Sequence, residues 1–213
     1  MTDLVSIERD GVEAARTALE SCVESGGVAI FPADTLYGLA CDPLDAGAIE
    51  RIHDLKGREA DKPSAVMYFS ALAMREVIVE LGPRAREAIA TLLPGPVTVI
   101  VDNSAGRYPL AGAADPGSLG LRLINGPLAG VRMPVFQTSA NLSGGEAPHR
   151  FADVRGDLVA AADLAIDAGE LLGDPSTVVD LTAIDESGQW RILREGAMPA
   201  AEVARRLAGA NTR

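Results

Sequence analysis

The first helix is predicted by apolar residues that lie three or four positions apart, namely Val12, Ala15, Leu19, Cys22 and Val23. This spacing places them on one face of an amphipathic helix over 11–24. Asp10 and Glu13 have the spacing of a capping box at its beginning. Two glycines end the helix, and the apolar run over 28–31 then predicts a buried strand.

Similar patterns continue along the rest of the chain, as short apolar runs separated by amphipathic stretches. They predict further helices at 45–55, 71–81, 83–92, 151–162 and 199–208, and further strands at 64–69, 97–101, 119–124, 135–139, 164–166, 177–181 and 190–193. No repeat or linker interrupts them. Strands and helices alternate without βαβ regularity, so we expect an α/β fold: a single domain over 1–213 with one twisted mixed sheet flanked by helices.

The composition is that of a globular protein. With 47% hydrophobic and 23% charged residues among 213, the chain can bury one sizeable core. The first residues lack the features of a secretory signal, and no apolar run approaches the roughly 20 residues that span a bilayer. Cys22 and Cys41 form no spaced framework and are predicted to be free thiols. We therefore expect a cytoplasmic protein.

Net charge and histidine content argue against several classes of function. The formal net charge of −11 disfavours a general nucleic-acid scaffold, whose surface would be broadly basic. The two histidines, His53 and His149, belong to no cluster with metal-ligand spacing, so we expect no metal site formed by the protein itself. A Ser-His-Asp triad is weakly supported, since it would depend on one of these two residues.

The two lysines of the chain, Lys56 and Lys62, lie on either side of Arg58 in one short segment. Cations around Gly57 indicate phosphate binding, because glycine lets the backbone approach a ligand closely. The segment matches neither the Walker A pattern nor the G-x-G-x-x-G pattern. The alternative is a solvated helix C-terminus, where basic residues complement the helix dipole.

Polar residues at the ends of predicted strands are further candidates, since ligands of open α/β sheets bind there. Asp34 and Thr35 follow the strand over 28–31, and a plain turn capped by Asp34 is the alternative. Ser118 and Arg122 lie four residues apart and therefore on one face of their strand. An arginine in an apolar strand needs an anionic partner, either a protein carboxylate or a ligand.

Two later segments repeat this arrangement of small polar groups beside apolar strands. Ser139 and Asn141, within TSANLSG, offer hydrogen bonds suited to phosphate or ribose, with an Asx or Ser/Thr turn as the alternative. Ser176 and Arg194 lie at the edges of two further strands. The stiff LPGPVT turn is expected to hold the site without touching substrate.

The order of these motifs resembles a single family along most of the chain. From Val28 to Met198 the succession PADTLYGL, KGR with a following KP, LPGPVT, GLR, TSANLSG, STVVDL and ILREGAM resembles the YrdC family of threonylcarbamoyl-AMP synthases. That family pairs Lys-x-Arg with Ser-x-Asn, and the matching residues here are Lys56, Arg58, Ser139 and Asn141. The resemblance implies a YrdC-like fold around a basic central cavity, in the short form without an appended C-terminal domain.

The resemblance also implies a nucleotidyltransferase reaction. L-threonine, bicarbonate and ATP would give L-threonylcarbamoyladenylate and diphosphate. The product would serve N6-threonylcarbamoylation of adenosine 37 in tRNAs that read ANN codons, after hand-off to the threonylcarbamoyl transferase complex. Mg²⁺ would arrive with ATP, and weak binding of tRNA or double-stranded RNA is a further implied contact, with no membrane partner.

The residues implied for this reaction fall into three groups. They are Lys56 and Arg58 as catalytic residues, Arg58, Lys62, Ser118, Ser139, Asn141 and Arg194 for ATP, and Thr35, Met67, Arg122 and Ser176 for threonine. Three positions depart from the family pattern. Met67 stands where histidine is frequent, Lys62 where asparagine is common, and Gln137-Thr138 where Ala-Pro is usual.

Two other functions remain alternatives. The same fold could act as a binding module for double-stranded RNA or a ribosomal precursor, which the net charge of −11 disfavours. A carbamoyl-transfer role, as in related domains of hydrogenase-maturation proteins, would be expected in a longer chain with additional domains.

Overall fold

Ten strands form one mixed sheet in a computed structural model that describes residues 1–57, 63–112 and 115–210. The strands are β1 (Asp3–Ser6), β2 (Ala29–Pro32), β3 (Tyr37–Cys41), β4 (Ala65–Tyr68), β5 (Val97–Asp102), β6 (Ser118–Leu123), β7 (Val135–Ser139), β8 (Leu164–Asp167), β9 (Thr177–Asp180) and β10 (Arg191–Arg194). The helices are α1 (Ile7–Asp10), α2 (Val12–Glu24), α3 (Ala46–Lys56), α4 (Ala71–Ile78), α5 (Pro83–Leu92), α6 (Pro109–Gly112), α7 (Gly156–Ala161), α8 (Ile184–Ser187) and α9 (Ala200–Ala210). The predicted α/β architecture is confirmed.

The strands lie side by side in the order β1-β8-β2-β3-β7-β4-β6-β5-β9-β10. The pairs β1/β8, β2/β8, β4/β6 and β5/β9 are parallel, and the other five are antiparallel. Parallel and antiparallel pairs are therefore mixed through the sheet, which agrees with the irregular order of elements along the sequence. In the part of the chain that the structure describes, no helix is long and apolar enough to cross a membrane.

Alternate residues of the central strands bury against two separate apolar clusters. In β2, Ile30 packs with residues of α3, α4, α5 and α9, whereas Ala29 and Phe31 pack with residues of α2. Because alternate side chains of a strand point to opposite faces, the two clusters lie on opposite sides of the sheet. Complete burial of an Ile or Phe side chain contributes about 1.5–3 kcal/mol each, so both faces hold the sheet in place.

In the described part of the chain, the face that α2 covers borders an open cavity along β5, β6 and β9. Val97, Val99 and Val101 of β5 bury against the helices on the other face, so Thr98 and Ile100 point away from them. The same parity places Arg122 of β6 on the open face. This uncovered half of the sheet forms the floor of the cavity described below.

Helix α3 carries the signals for its own beginning and end. The Asp45 side chain accepts a hydrogen bond from the backbone N–H of Ala48 at 3.0 Å and so caps the N-terminus. Gly57 ends the helix in the left-handed conformation, with φ 56°, where a residue without Cβ is favoured. Lys56 is thereby fixed in the last turn, at the inner end of the helix.

Several elements were not predicted from the sequence patterns. The segment Tyr37–Cys41 has the pattern of a turn after Pro32, yet it forms the fully buried strand β3. Gly38 permits this pairing, because a Cβ there would approach both the Phe31 ring and the Thr138 carbonyl. The short elements β1, α1, α6 and α8 carry too little periodicity to be recognised.

The predicted helix over 151–162 is wrong in its extent. It is divided into a 3₁₀ turn at Phe151–Asp153 and the short helix α7. Val154 and Arg155 separate them with a non-helical backbone, at φ −67° and ψ 126° for Val154 and φ −55° and ψ 132° for Arg155. A hydrophobic pattern counts the apolar residues of both parts as one helix, because it does not register the two non-helical residues between them.

Candidate active site

The open face of the sheet borders a cavity of about 630 Å³, within the size range of small-molecule sites. Its floor consists of residues from β4, β5, β6, β7 and β9, and the loops after β2, α6 and β7 contribute to the walls. The polar side chains on its surface include those of Thr35, Thr98, Asp115, Ser118, Arg122, Gln137, Ser139, Asn141, Ser176 and Arg194.

Arg122 lies on the floor and is almost completely buried, with its side chain 5% exposed. Its Nη2 donates to Asp34 Oδ1 at 2.5 Å and to Thr35 Oγ1 at 3.4 Å. The pairing of Arg122 with a protein carboxylate confirms one of the two partners expected for an arginine in an apolar strand. Burial lowers the pKa of Arg122 and raises the pKa of Asp34, since desolvation disfavours both charged forms.

One donor of Arg122 has no hydrogen-bond partner among the described residues. Its Nε is buried and unpaired, although the side chain lines the cavity. A buried donor without a partner costs about 1–3 kcal/mol, so native proteins rarely leave one. The Nε therefore retains a hydrogen-bonding capacity that no described residue satisfies.

Arg194 is the second arginine of the cavity wall. Its Nη2 donates to the Ser176 backbone carbonyl at 2.8 Å and to Ser176 Oγ at 3.3 Å, and its Nε donates to the same carbonyl at 3.2 Å. In the described ranges no carboxylate forms an ion pair with it. Burial lowers the pKa of Arg194. A half-buried cation held by neutral oxygens retains its charge for an anionic ligand.

The backbone around Ser176 and Arg194 is held by contacts between two loops. Thr177 Oγ1 accepts from the backbone N–H groups of Gly196 at 3.0 Å and Met198 at 3.1 Å. Gly196 packs against the Pro175 carbonyl so closely that an added Cβ would overlap it. The STVVDL and ILREGAM motifs therefore form one unit that fixes the Arg194 side chain.

Lys56 is buried behind the cavity wall, with 3% of its surface exposed. Its Nζ donates to the backbone carbonyls of Ser139 and Asn141, the latter at 2.7 Å, and to Asn141 Oδ1 at 3.4 Å. The Lys56 carbonyl accepts from the N–H of Ser143 at 2.9 Å. The end of α3 and the loop after β7 are thus joined through both backbone and side chain.

Asn141 itself organises the loop that Lys56 holds. Its Oδ1 accepts from Ser139 Oγ at 2.5 Å, and its Nδ2 donates to the carbonyls of Leu142 at 2.9 Å and Gly145 at 2.6 Å. The turn alternative considered for TSANLSG is therefore present in the structure. The same two side chains, Ser139 and Asn141, also border the cavity, so the turn presents them to a ligand.

Asp115 is the one acidic residue in the described part of the cavity lining. Its Oδ2 accepts a hydrogen bond from Ser118 Oγ at 2.7 Å. No group of three or more His, Cys, Asp or Glu side chains that could hold a metal occurs among the described residues. Asp115 is consequently the available carboxylate for a metal ion that arrives with a ligand.

The structure gathers most of the predicted site residues around this cavity. Those on its surface are Thr35, Ser118, Arg122, Ser139, Asn141, Ser176 and Arg194. Two others, Arg58 and Lys62, lie outside the described residues, so the expectation of a basic cavity and their contacts with ATP stay predictions. The ligand roles of the residues on the cavity surface likewise stay predictions, because proximity to a cavity does not assign a ligand.

Two predicted site residues are placed away from the cavity surface. Met67 is fully buried among apolar residues of the second cluster, which includes Phe31 and Phe69, and it does not border the described cavity. It lies opposite Arg122 on the neighbouring strand, so the position that the resemblance implies for threonine is beside a residue of the cavity floor. Lys56, as described above, contacts the loop and not the cavity. Neither Met67 nor Lys56 borders the described cavity, so the contacts of both residues with substrate stay predictions.

Two contacts within the site were not predicted. Asp34 was a candidate ligand-binding carboxylate with a plain turn as the alternative, and its contact with Arg122 was not predicted. Thr98 was assigned to a structural turn, yet its Oγ1 lies 2.8 Å from Ser176 Oγ within the cavity wall. The available signal for Thr98 was a hydroxyl inside the otherwise apolar strand segment Val97–Val101. The pairing of Asp34 with Arg122 spans 88 residues and has no local signal.

Comparison with known proteins identifies the family of the chain. The model of the Sua5/YciO/YrdC family, which is described as “Telomere recombination”, matches residues 21–196. The threonylcarbamoyl-AMP synthase of Rattus norvegicus is 32% identical and covers 91% of this chain and 71% of its own length. The threonylcarbamoyl-AMP synthase of Pyrococcus abyssi is 30% identical over 95% of this chain, and the chain spans 60% of that relative.

A solved structure of P. abyssi Sua5 complexed with L-threonine resembles this fold with a TM-score of 0.82. The two sequences are 27% identical, and the match covers 97% of this chain and 60% of the other. The family match spans most of the chain and includes the loops that border the cavity. The chain therefore belongs to the Sua5/YciO/YrdC family.

Proposed function

We propose that the chain is a threonylcarbamoyl-AMP synthase, which converts L-threonine, bicarbonate and ATP to L-threonylcarbamoyladenylate and diphosphate. The related proteins from R. norvegicus and P. abyssi carry that name, and one P. abyssi structure contains L-threonine. The activity remains a proposal because the chain spans only 60% of the P. abyssi protein.

The unpaired Nε of Arg122 is the observation that carries the proposal. A carboxylate oxygen is the acceptor that a guanidinium binds best, and a planar carboxylate matches the guanidinium fork. Thr35, whose Oγ1 lies 3.4 Å from Arg122 Nη2, offers a hydroxyl beside it. In this proposal Arg122 donates a hydrogen bond to the carboxylate of a small hydroxy amino acid, and Thr35 offers a hydroxyl group beside it.

Arg194 contacts the phosphates of ATP in this proposal. Arg194 retains an unpaired charge among the described residues, and Ser118, Ser139 and Asn141 add short polar side chains to the walls. Arg58 and Lys62, which come from the segment outside the described residues, would complete the cation set. Phosphate oxygens with several negative charges favour such a group of cations and hydroxyls.

The chemistry then requires positioning and charge neutralisation from the protein. The amine of threonine and bicarbonate form N-carboxythreonine with loss of water. A carbamate oxygen attacks the α-phosphorus of ATP, the bond between that phosphorus and the bridging oxygen breaks, and diphosphate leaves with the electron pair. Phosphoryl transfer of this kind depends mainly on alignment and electrostatics, which fits a cavity with arginines and hydroxyls.

Mg²⁺ would enter with the triphosphate. The donor set fits this mode, because one carboxylate, Asp115, borders the described cavity, and Mg²⁺ commonly binds through one or two carboxylates plus phosphate oxygens. The ion would neutralise phosphate charge there. The hydrogen bond that Ser118 Oγ donates to Asp115 Oδ2 keeps this carboxylate directed along the same wall.

The product of this proposed reaction serves N6-threonylcarbamoylation of adenosine 37 in ANN-decoding tRNAs. That role places the enzyme in the cytoplasm and implies hand-off to a threonylcarbamoyl transferase complex. The reactive mixed anhydride explains why transfer would follow synthesis closely. Direct contact with tRNA is a weaker part of the proposal, because the net charge of the chain is −11.

The proposal is tested by incubating the protein with Mg²⁺, ATP, labelled bicarbonate and one amino acid at a time. We expect diphosphate release and a labelled adenylate with threonine, and much less of either with valine, which lacks the hydroxyl. Arg122→Gln should raise the KM for threonine, whereas Arg132→Gln, which removes a surface ion pair with Glu20, should not. Diphosphate release that is independent of threonine would contradict the proposal.

A further inference from the structure

The two arginines of the cavity differ in how their charge is balanced. Arg122 forms a buried ion pair with Asp34, and both side chains are less than one-tenth exposed. Arg194 is held by the carbonyl and hydroxyl of Ser176, both neutral, and no described carboxylate pairs with it. The Arg122–Asp34 pair therefore contributes almost no net charge to the cavity, whereas Arg194 contributes a positive charge.

The two arginines are also close enough to affect each other. The charge of Arg194 contributes to lowering the pKa of Arg122, after the larger effect of burial. Without Asp34 the cavity would contain two uncompensated cations. A phosphate group carrying two charges would then be attracted to both positions, because the attraction grows with the charge of the ligand.

Asp34 changes this balance without bordering the cavity itself. Its carboxylate holds Nη2 of Arg122 from behind and leaves Nε as the unpaired donor. A dianionic phosphate at Nε would lie close to the Asp34 carboxylate in a poorly solvated setting, where repulsion between like charges is strong. Free L-threonine binds with a single carboxylate and an ammonium group, so its net charge on entry is close to zero.

We infer that Asp34 is a specificity-determining, positioning residue that reserves Arg122 for an amino-acid carboxylate and excludes phosphate groups from it. This inference rests on the proposed function and adds how phosphate groups are kept away from the amino-acid position. Without such exclusion, free phosphate or a second nucleotide would compete for the amino-acid position.

Asp34→Asn isolates the charge of Asp34, because the asparagine Oδ1 can still accept the hydrogen bond from Arg122 Nη2. The matched control is Asp180→Asn, which makes the same change in a carboxylate that binds Arg191 Nε at 2.8 Å and does not border the described cavity. Asp34→Glu retains the charge. Thermal melting shows that each variant is folded, and Asp34→Ser replaces Asp34→Asn where the latter does not fold.

The apparent Kd of threonine is measured by calorimetry over a series of inorganic phosphate concentrations. For the unchanged protein, Asp180→Asn and Asp34→Glu, we expect phosphate to leave that Kd nearly constant. For Asp34→Asn, phosphate should compete, with its inhibition constant against threonine lowered about tenfold or more, as expected when a strong like-charge repulsion is removed.

The outcomes separate the inference from the function on which it rests. The inference is overturned if phosphate affects threonine binding neither in the unchanged protein nor in Asp34→Asn. The proposed function stands in that case. Equal competition by phosphate in Asp34→Glu and Asp34→Asn also overturns it, since charge would not be the cause. Absence of threonine binding to the unchanged protein overturns the proposed function itself.

Discussion

Thr98 Oγ1 and Ser176 Oγ lie 2.8 Å apart in the wall of the cavity, and Arg194 Nη2 reaches the same Ser176 hydroxyl at 3.3 Å. Thr98 and Ser176 are both more than nine-tenths buried. The Ser176 hydroxyl is therefore held between a second hydroxyl and a guanidinium. Its orientation toward a ligand depends on both partners.

Thr98→Val is predicted to raise the KM for threonine about two- to tenfold, the range for loss of one neutral hydrogen bond. The shape of the side chain is nearly unchanged, so kcat and the melting temperature should change little. Thr91→Val is the matched control, because the Thr91 hydroxyl bonds only the Glu87 carbonyl within α5. An unchanged KM in Thr98→Val would show that Ser176 does not need this partner.

Lys56→Met is predicted to reduce stability and turnover together. The substitution removes the donor for two backbone carbonyls, of Ser139 and Asn141, and leaving such groups buried without a partner costs about 1–3 kcal/mol each. The loop after β7 should then lose its fixed position. The family resemblance implies a catalytic role for Lys56, and its contacts with the loop add an expected effect on stability.

Urea unfolding and diphosphate release measure the two effects of Lys56→Met. Arg206→Met serves as the control, since it removes a partly exposed cation from α9 and should change stability by less than about 0.5 kcal/mol. Full stability with lost activity in Lys56→Met would instead indicate that the ammonium group contacts substrate directly.

The contrast between Lys56 and Arg122 shows what a sequence can and cannot predict about this site. The parity of a strand placed Ser118 and Arg122 on one face, and the structure confirms it, because strand alternation is a local property. The oxygens that Lys56 contacts belong to residues 83 and 85 positions away. No local pattern distinguishes a lysine that binds phosphate from one that binds a loop.

The same distinction applies to the fold. Long periodic segments such as α2 were predicted almost to their ends, because the buried face of an amphipathic helix has apolar residues at regular helical spacing. The strand β3 was missed because its glycine and its motif resemble a turn. Its identity as a strand depends on pairing with β2 and β7, and β7 lies about 100 residues later in the chain.

Arg194→Gln is predicted to raise the KM for ATP about tenfold or more and to change that for threonine less. Hydrogen bonds to a charged group contribute about 1.5–3 kcal/mol, and glutamine removes the charge while it keeps a polar side chain. The matched control is Arg191→Gln on the same strand, because Arg191 is 74% exposed and binds Asp180. Equal effects of both substitutions on the ATP KM would argue against a specific phosphate contact of Arg194.

The three tyrosines are predicted to ionise at unusually high pH. Burial raises the pKa of Tyr37 and of Tyr108 to about 12 and raises the pKa of Tyr68 as well, from an ordinary value near 10. Absorbance at the tyrosinate wavelength, followed against pH, should therefore show little ionisation at pH 10 in the folded protein. In urea the same titration should return to the ordinary value.

These shifts also set the direction of the pH dependence of stability. The pKa of Tyr37 is higher in the folded than in the unfolded protein, so its protonated form favours folding. That contribution is complete below about pH 10 and is lost as the pH rises through about 12. Stability measured by urea unfolding should thus fall steeply above pH 10.

Tyr37→Phe separates the hydrogen bonds of this residue from its ionisation. The Tyr37 hydroxyl donates to the Gly169 carbonyl at 2.9 Å and accepts from the Ala168 N–H at 2.9 Å. Loss of both should reduce stability by about 1–3 kcal/mol at neutral pH, and the fall above pH 10 should become shallower because one ionising group is gone. A Tyr37→Phe variant with an unchanged alkaline slope would show that Tyr37 does not contribute to it.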